Sequence, residues 1–352
     1  MTKRIAVVGT GAVGGYIAAH LAAASHDVVA IDGWPEHVEA IRSDGLRIIG
    51  MASSESLQVR FPAMHITEVQ GLSKGPEIDV AIVAVKSYDT IWATALVAPY
   101  LAPGGYVVSA QNGINEDRIA SVVGWGRTVG CVVGNNFAVD LIDAGVVKRT
   151  MPRDLAINSL ELGEVHGRAT PRLRELADIM KCVDGCSITN NLWGVRWSKL
   201  CVNGMRNALS AVTGMSGNER DSHDAVRRIS IQLGSEAVRV GQALGYQLES
   251  MARIPAATFA LAPDDPKAMA EIEETLIRGT KASARSNDQR PSMAQDIQKG
   301  RRTEIDFLNG LIIAKGKDVQ TPTPTHERIV QVVHHVERGQ IEPRPENVLA
   351  WT

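Results

Sequence analysis

The stretch "RIAVVGTGAVGGYIAAH", residues 4–20, decides how the first half of this 352-residue chain folds. A β-branched apolar run leads into glycines at positions 9, 11 and 14, and a run rich in small residues follows. The spacing G-x-G-x-x-G between a predicted strand and a predicted helix is typical of a dinucleotide-binding turn. Its first glycine bends the chain, the second admits a pyrophosphate and the third lets the helix pack on the sheet. The residues expected to bind the dinucleotide are Gly9, Thr10, Gly11, Ala12, Val13 and Gly14.

Asp32 closes the second predicted strand, 18 residues after Gly14. An acidic side chain at this point accepts hydrogen bonds from the adenosine ribose hydroxyls and repels a 2′-phosphate. The next residues, Gly33 and Trp34, supply no cation that could hold such a phosphate. We therefore expect NAD(H) to be preferred over NADP(H). The alternative is a structural aspartate at the start of the helix that opens with Pro35.

Short β-branched runs alternate with helical patterns over about the first 190 residues. The run "DVAIVAVK" (79–86) is continuously apolar, as in strands that are buried in parallel sheets. The runs "LRIIG" (46–50) and "LQVRF" (57–61) predict an added hairpin. Strands that alternate with helices predict a doubly wound α/β sheet, so residues 1–190 are expected to form a Rossmann-type dinucleotide-binding domain.

Residues 191–352 change in character, because β-branched runs become rare and long helical patterns take over. We expect an all-α domain there that carries the substrate and the catalytic groups. The segment 248–268 contains three prolines and is the least ordered-looking part of this half. The predicted helices are 191–212, 222–243, 265–285, 293–317 and 324–337.

The charge balance narrows the class of partner. With 37 basic and 39 acidic residues the net charge is −2, which argues against a dedicated nucleic-acid binder or a polybasic membrane anchor. No apolar run reaches the ~18 residues of a membrane span, and no signal peptide is visible. The four cysteines lack zinc-like spacing, so we expect reduced thiols and no metal site. The chain is expected to be cytoplasmic, with a small-molecule substrate and a second copy of itself as candidate homodimer partner.

The stretch "WSKLCVNGMRNALS", residues 197–210, places polar groups on a helix that otherwise looks buried. Helical residues turn by about 100° each, so Lys199, Asn203 and Asn207 fall within an arc of about 80°. Burying such groups without partners would cost several kcal/mol. A lysine ammonium can protonate the alkoxide that hydride addition to a ketone creates, and amides can hold a carboxylate or hydroxyl. The alternative for Lys199 is a salt-bridged surface lysine.

Lys199, Asn203, "QNG" at 111–113 and "PSMAQDIQKGRRTEIDFLNG" at 291–310 together resemble the ketopantoate reductase (2-dehydropantoate 2-reductase) family over most of the chain. Related dehydrogenases of 3-hydroxy acids share the K-x-x-x-N spacing. Asn207 and the S-M-x-Q-D…T-E-I-D-x-x-N-G pattern are far more specific. The resemblance implies an NAD(P)H-dependent reductase of a small 2-oxo acid.

The resemblance also implies a role for each residue on the substrate side. Lys199 matches the proton donor of the family, and Asn203 and Asn207 match substrate-binding amides. Glu304 matches the acidic residue near the nicotinamide ribose and the substrate, and so counts as both catalytic and cofactor-binding. Glu304 could instead be an ordinary exposed acid of a helix.

Three further residues are assigned in the same way. Ser292 matches a hydroxyl that binds the substrate carboxylate, although Ser292 with Gln295 also forms a capping-box pattern. Asn112 matches an asparagine at the nicotinamide end of the site, and its alternative is a plain turn before Gly113. Lys86 matches a lysine on the cofactor side, and its alternative is a solvated strand end.

The chain departs from the family in ways that keep other functions open. The better-known members use NADPH and carry a basic residue near position 32, so NADP(H) stays a candidate cofactor. A family asparagine before the "SM" serine is replaced by Gln289, with Asn287 two residues earlier. Surplus residues lie between Asn207 and Ser292. The alternatives are an NAD-dependent dehydrogenase of a bulkier 2-hydroxy acid or secondary alcohol, and a non-catalytic dinucleotide sensor, against which the lysine and the acid argue.

Overall fold

The computed structural model describes residues 3–282 and 290–351, so Asn287 and Gln289 lie outside the described residues. The chain divides into two compact units, Met1–Leu192 and Trp193–Thr352. Among the described residues, no helix is both long enough and apolar enough to cross a lipid bilayer.

The first unit is built on strands. Eight of its strands form one sheet in the order β12-β11-β8-β7-β6-β1-β2-β5, and the other four form a small sheet in the order β4-β3-β10-β9. The strands are β1 (Arg4–Val8), β2 (Asp27–Asp32), β3 (Leu46–Ile49), β4 (Leu57–Val59), β5 (Ala63–His65), β6 (Ile78–Val83), β7 (Leu101–Ser109), β8 (Thr128–Val133), β9 (Val139–Asp143), β10 (Val146–Arg149), β11 (Leu160–Glu164) and β12 (Cys186–Ile188).

The large sheet confirms the predicted parallel architecture. From β5 through β2, β1, β6 and β7 to β8 every pair is parallel, whereas β11 runs antiparallel to β8. Alternate residues of β1 point into different cores: Ile5 and Val7 lie in one, Ala6 and Val8 in the other. Both faces are therefore covered, which explains the continuous apolar runs. The helices of this unit are α1 (Ala12–Ala23), α2 (Pro35–Ser43), α3 (Thr90–Val97), α4 (Glu116–Val123) and α5 (Pro171–Met180).

The predicted hairpin is confirmed, since β3 and β4 pair antiparallel. The small sheet also contains a second hairpin that the sequence did not predict, in which β10 pairs parallel with β3 and antiparallel with β9. This second hairpin turns at Gly145, whose φ is +71°. A Cβ on Gly145 would lie 2.8 Å from the Cβ of Ala40, so both the backbone conformation and the packing against α2 favour glycine.

The second unit is helical, as predicted. Its described residues also contain one isolated bridge, between Met251 and Ile254. The helices are α6 (Leu192–Thr213), α7 (Gly217–Ser222), α8 (Asp224–Ala243), α9 (Ala256–Leu261), α10 (Pro266–Ala282), α11 (Ser292–Gln298), α12 (Asn309–Asp318), α13 (Pro324–Glu337) and α14 (Glu346–Leu349).

Two expectations for this half were wrong. The single helix expected at 293–317 is divided into α11, a 3₁₀ turn at Ile305–Phe307, and α12. Gly300, with φ +61°, ends α11, and the Arg301 amide closes the turn on the Asp296 carbonyl at 2.8 Å. The segment 248–268 is more ordered than expected, because it contains α9 and the fully buried Phe259.

Helix α6 is fixed against α8 by Trp197, which is 1% exposed. Its indole N–H donates to the Ala237 carbonyl at 2.9 Å. A Cβ on Gly241 would lie 2.4 Å from the indole ring, so glycine makes room for it. Truncating a buried tryptophan typically costs about 3–5 kcal/mol. Because Trp197 is about 120° from Asn203 around the helix, this contact fixes how the polar stripe is turned within the unit.

Candidate active site

The glycine turn has the geometry that its sequence predicts. Gly9 has φ +84° and its N–H donates to the Ile31 carbonyl at 2.8 Å. A Cβ on Gly9 would lie 2.6 Å from Cγ1 of Val85, and one on Gly14 only 2.0 Å from the Gly9 carbonyl oxygen. By contrast, a Cβ on Gly11 would meet no atom within 4 Å among the described residues. The backbone at Gly11 therefore leaves space in front of the α1 N-terminus, where the free amides favour an anion such as a pyrophosphate.

Asp32 is bound to this turn. Its Oδ2 accepts from the Thr10 N–H at 2.7 Å and from the Thr10 hydroxyl at 3.2 Å. Its Oδ1 accepts from the Trp34 N–H at 2.9 Å, next to the start of α2. Asp32 therefore does have a structural role at the start of α2, which was the alternative to ribose binding. A carboxylate offers about four acceptor positions, so capacity remains for a ribose hydroxyl.

His37 also hydrogen-bonds to the glycine turn, although the sequence analysis did not identify it as a site residue. The ring is fully buried, and its Nδ1 accepts from the Gly145 N–H at 2.9 Å. Nε2 therefore carries the proton and donates to the Thr10 carbonyl at 2.8 Å. The Trp34 indole stacks on the imidazole, with ring centroids 5.6 Å apart and an interplanar angle of 8°. The only signal in the sequence was a histidine inside the first turn of α2.

Lys86 and Asn112 lie in two loops that are tied together. Lys86 follows β6 and is half-buried, and Asn112 follows β7. The Asn115 amide donates to the Ser87 hydroxyl at 3.1 Å and to the Asn112 carbonyl at 2.9 Å. Gly113 has φ +76°, so Asn112 does precede a turn.

Gln111 adds a second tie between the same loops. Its amide nitrogen donates to the Val85 carbonyl and to the Thr90 hydroxyl, both at 2.8 Å. Gln111 belongs to the "QNG" motif, but no sequence pattern indicated that Gln111 and Asn115 would position their neighbours.

The first unit brings its predicted site residues to one edge of the sheet. The strands β2, β1, β6 and β7 are neighbours and run parallel. Asp32, Gly9, Lys86 and Asn112 stand at or just beyond their carboxyl ends. This edge is where open α/β sheets bind ligands, and dinucleotides in particular.

The second unit contains the other predicted residues. Asn203 and Asn207, on α6, are 6% and 8% exposed, and Lys199 on the same stripe is half-buried. Glu304 is 5% exposed, so the interpretation as an exposed helix acid is wrong. Glu304 lies at the N-cap of the 3₁₀ turn that precedes α12.

Ser292 is the first residue of α11 rather than its cap. The N-cap is Pro291, which makes no side-chain cap hydrogen bond. The Gln295 amide instead donates to the Arg290 carbonyl at 2.9 Å. The capping-box interpretation of Ser292 is therefore wrong, and its role as a carboxylate-binding hydroxyl stays a prediction.

Thiol and metal chemistry find no support in the described residues. All four cysteines are free thiols. Burial raises the pKa of Cys182, and that of Cys186 to about 12, which disfavours a reactive thiolate. Within residues 3–282 and 290–351, no group of three or more His, Cys, Asp or Glu side chains could hold a metal ion.

Comparison with models of known protein families identifies the family of this chain. Residues 5–161 match the family model described as "Ketopantoate reductase PanE/ApbA", and residues 191–337 match the model of its C-terminal part. Such proteins are NAD(P)-dependent oxidoreductases that act on a keto or hydroxyl group. The chain belongs to the ketopantoate reductase family.

Relatives match along nearly the whole chain. The 2-dehydropantoate 2-reductase of Pyrococcus abyssi is 28% identical over 91% of this chain and 93% of its own length. That of Mesorhizobium japonicum is 27% identical over 96% and 99%. The crystal structure of a PanE/ApbA family ketopantoate reductase from Ralstonia eutropha JMP134 is 28% identical, covers 96% and 99%, and superposes with a TM-score of 0.77.

A structure of D-mandelate dehydrogenase with NADH and anilino(oxo)acetate shares the fold. It is 24% identical, covers 96% of this chain, and has a TM-score of 0.76. The family fold is therefore found in proteins with different named substrates.

Proposed function

We propose that the protein reduces a small 2-oxo acid of the 2-dehydropantoate type with a reduced nicotinamide dinucleotide, and that Lys199 is the proton donor. The observation that carries this proposal is the stripe on α6, where two nearly buried amides accompany a half-buried lysine. A cation and two amides aligned on one face of a helix can protonate and orient a single ligand.

The proposed reaction transfers one hydride and one proton to the ketone. When bound, the nicotinamide supplies a hydride to the carbonyl carbon. Lys199 gives a proton from Nζ to the carbonyl oxygen, so the ketone becomes a hydroxyl and the lysine is left neutral until it regains a proton from solvent. Lys199 stands on helix α6, a rigid element of the kind that a positioned proton donor requires.

The remaining residues bind and orient. Asn203 and Asn207 supply amides for the carboxylate or hydroxyl of the substrate, and Ser292 supplies a hydroxyl for the carboxylate. Glu304 and Asn112 are proposed to act at the nicotinamide ribose and the substrate.

The residues of the first unit fit a dinucleotide. The open backbone at Gly11 admits the pyrophosphate, and the amides at the α1 N-terminus bind it. Asp32 is proposed to accept from the adenosine ribose, which favours NADH, and Lys86 is proposed to contact the cofactor. Family members that use NADPH keep that cofactor as the second candidate.

Replacing Lys199 by alanine tests the proton donor. We expect kcat to fall by ~10²–10⁴, the usual scale for losing a positioned acid. The dissociation constant of NADH should change little, because the residues proposed to bind the pyrophosphate and the adenosine ribose belong to the other unit. The control is Lys267→Ala, which removes an exposed lysine of the same unit. Retention of kcat within about threefold in Lys199→Ala, with chemistry rate-limiting, would refute the assignment.

A second candidate function is an NAD-dependent dehydrogenase of a bulkier 2-hydroxy acid. It is supported by Asp32 and by the fold shared with D-mandelate dehydrogenase, whose structure contains NADH. Measuring kcat/KM for 2-dehydropantoate and phenylglyoxylate, each with NADH and NADPH, separates the candidates. We expect 2-dehydropantoate with NADH to give the highest value. A clear preference for phenylglyoxylate would replace the first proposal by the second.

A further inference from the structure

Asn309 is a fully buried amide at the start of α12, and both of its N–H groups are used. Nδ2 donates to the Gly204 carbonyl of α6 at 2.9 Å and to Nδ1 of His326 at 3.0 Å. The opposite orientation of the amide would set its oxygen against the Gly204 carbonyl oxygen, so the orientation is fixed by chemistry. The Asn309 Oδ1 finds no partner among the described residues, a loss that costs about 1–3 kcal/mol.

His326, on α13, is held so that it can accept this bond. Its Nε2 lies 2.9 Å from the Leu233 carbonyl of α8 and must donate to it, which leaves the Nδ1 lone pair for Asn309. Burial lowers the pKa of His326 to about 4, so the ring is neutral near pH 7. Glu236 of α8 accepts from the backbone N–H groups of Thr325 and His326 at 3.0 and 3.2 Å.

Gly204 allows this approach to α6. A Cβ at position 204 would lie 2.8 Å from Cδ1 of Ile312 and 3.2 Å from Cε1 of His326. Gly204 directly follows Asn203 in the helix. The contact with Asn309 therefore acts on the backbone of α6 at the centre of the stripe formed by Lys199, Asn203 and Asn207.

The segment that contains Glu304 leads directly into Asn309. The backbone N–H groups of Phe307 and Leu308 both donate to the Glu304 carbonyl at 3.0 Å, which makes the short stretch up to Asn309 compact. The Thr303 N–H donates to Glu337 Oε1 at 2.7 Å. A bond from Asn309 to α6 thus fixes the Glu304 segment relative to the stripe.

We propose that Asn309 and His326 are positioning residues: together they hold the Glu304 segment in register with the Lys199–Asn203–Asn207 stripe of α6. The inference rests on the proposed function, because the groups that Asn309 and His326 align are the ones proposed to act on one substrate. Asn309 and His326 themselves do not touch the reacting atoms.

Two substitutions of His326 separate positioning from mere packing. In His326→Asn the side-chain oxygen occupies about the place of Nδ1 and can still accept from Asn309. In His326→Gln the amide nitrogen occupies about the place of Nε2 and can donate to the Leu233 carbonyl, but the acceptor for Asn309 is lost. We expect His326→Gln to lower kcat by ~10–100-fold, the scale for a misplacement of about 1 Å, and His326→Asn to restore most of it. NADH affinity should change less than kcat in both variants, because the residues proposed to bind the pyrophosphate and the adenosine ribose belong to the first unit.

The assay uses the full-length protein with 2-dehydropantoate or, if the wild type prefers it, phenylglyoxylate. Urea unfolding of each variant is measured in parallel. The control is His223→Gln at the N-cap of α8, which is expected to lower stability without lowering kcat. Equal kcat for the two His326 variants, or losses that simply follow their stability, would overturn the proposal.

A double-mutant cycle distinguishes loss of positioning from a loss of folded protein. If Asn309 acts through the alignment of Lys199, Asn309→Ala should lower kcat at least tenfold in the wild type and less than threefold in a Lys199→Ala background. Equal losses in both backgrounds would overturn the positioning role. A wild-type-like kcat in Lys199→Ala alone would instead refute the proposed function, so the two failures are distinguishable.

Discussion

Asp32 illustrates how one side chain can serve both the cofactor and the fold. Its carboxylate accepts two hydrogen bonds from Thr10 and one from the Trp34 N–H. These bonds shape the turn that is proposed to receive the pyrophosphate. Asp32 therefore affects dinucleotide binding through the turn as well as through the ribose.

Replacing Asp32 by asparagine should weaken binding of NADH more than that of NADPH, because the turn is impaired for both dinucleotides while the repulsion of a 2′-phosphate is relieved. The amide cannot reproduce both charge-assisted bonds to Thr10, and losing such a bond costs about 1.5–3 kcal/mol, or ~10–100-fold in affinity. Fluorescence titration with each dinucleotide gives the dissociation constants. A gain in NADPH affinity, with unchanged thermal stability, would show that Asp32 acts on the ribose alone.

His20, on α1, is expected to make the stability of the first unit depend on pH. It is 5% exposed, and its Nε2 has no partner among the described residues. Burial, with smaller contributions from Arg153 and Arg149, lowers the pKa of His20 from 6.5 to about 3. Between these two values the unfolded chain binds one proton more than the native one. The free energy of unfolding therefore falls as the pH falls through this window, by about 1.4 kcal/mol per pH unit.

Replacing His20 by phenylalanine should remove this dependence. Phenylalanine has a ring of similar size and carries no buried polar atom that lacks a partner, so stability at pH 7 is expected to be retained. Urea unfolding at pH 7, 6, 5 and 4 should give a slope that is smaller than in the wild type by about 1.4 kcal/mol per pH unit between pH 6 and 4. An unchanged slope would mean that His20 is protonated in the native state.

At the scale of elements, the β1–α1 turn uses its glycines for different purposes, and two alanine substitutions should separate them. Gly14→Ala places a Cβ 2.0 Å from the Gly9 carbonyl oxygen and should destabilise the unit by about 1–3 kcal/mol or more. Gly11→Ala meets no atom within 4 Å among the described residues. It should leave the urea midpoint nearly unchanged while raising the dissociation constant of NADH at least tenfold. Wild-type NADH binding by Gly11→Ala would move the pyrophosphate away from this turn.

At the scale of the whole molecule, the sequence predicted what short-range patterns encode. The parallel sheet follows from β-branched runs, and the glycine turn from local spacing. The break between α11 and α12 was missed although the sequence signals it, with Gly300 inside a stretch, 298–304, that contains no apolar side chain. The homodimer stays a prediction.

The residues that support the site could not be read from the sequence because their partners are far away along the chain. His37 meets Gly145 across 108 positions, and Asn309 meets Gly204 across 105. A buried histidine or asparagine looks the same in sequence whether it positions a loop or merely fills a core. Only the fold shows which carbonyl or amide each one contacts.

The hydrogen bond from the Gly145 N–H to His37 limits how the coenzyme preference can be redesigned. Grafting a loop from an NADPH-using relative over residues 32–37 would also exchange His37. The hairpin turn at Gly145 would then lose its acceptor, and the Thr10 carbonyl its donor. A successful graft therefore has to include the β9–β10 turn as well, with both segments taken from the same donor protein.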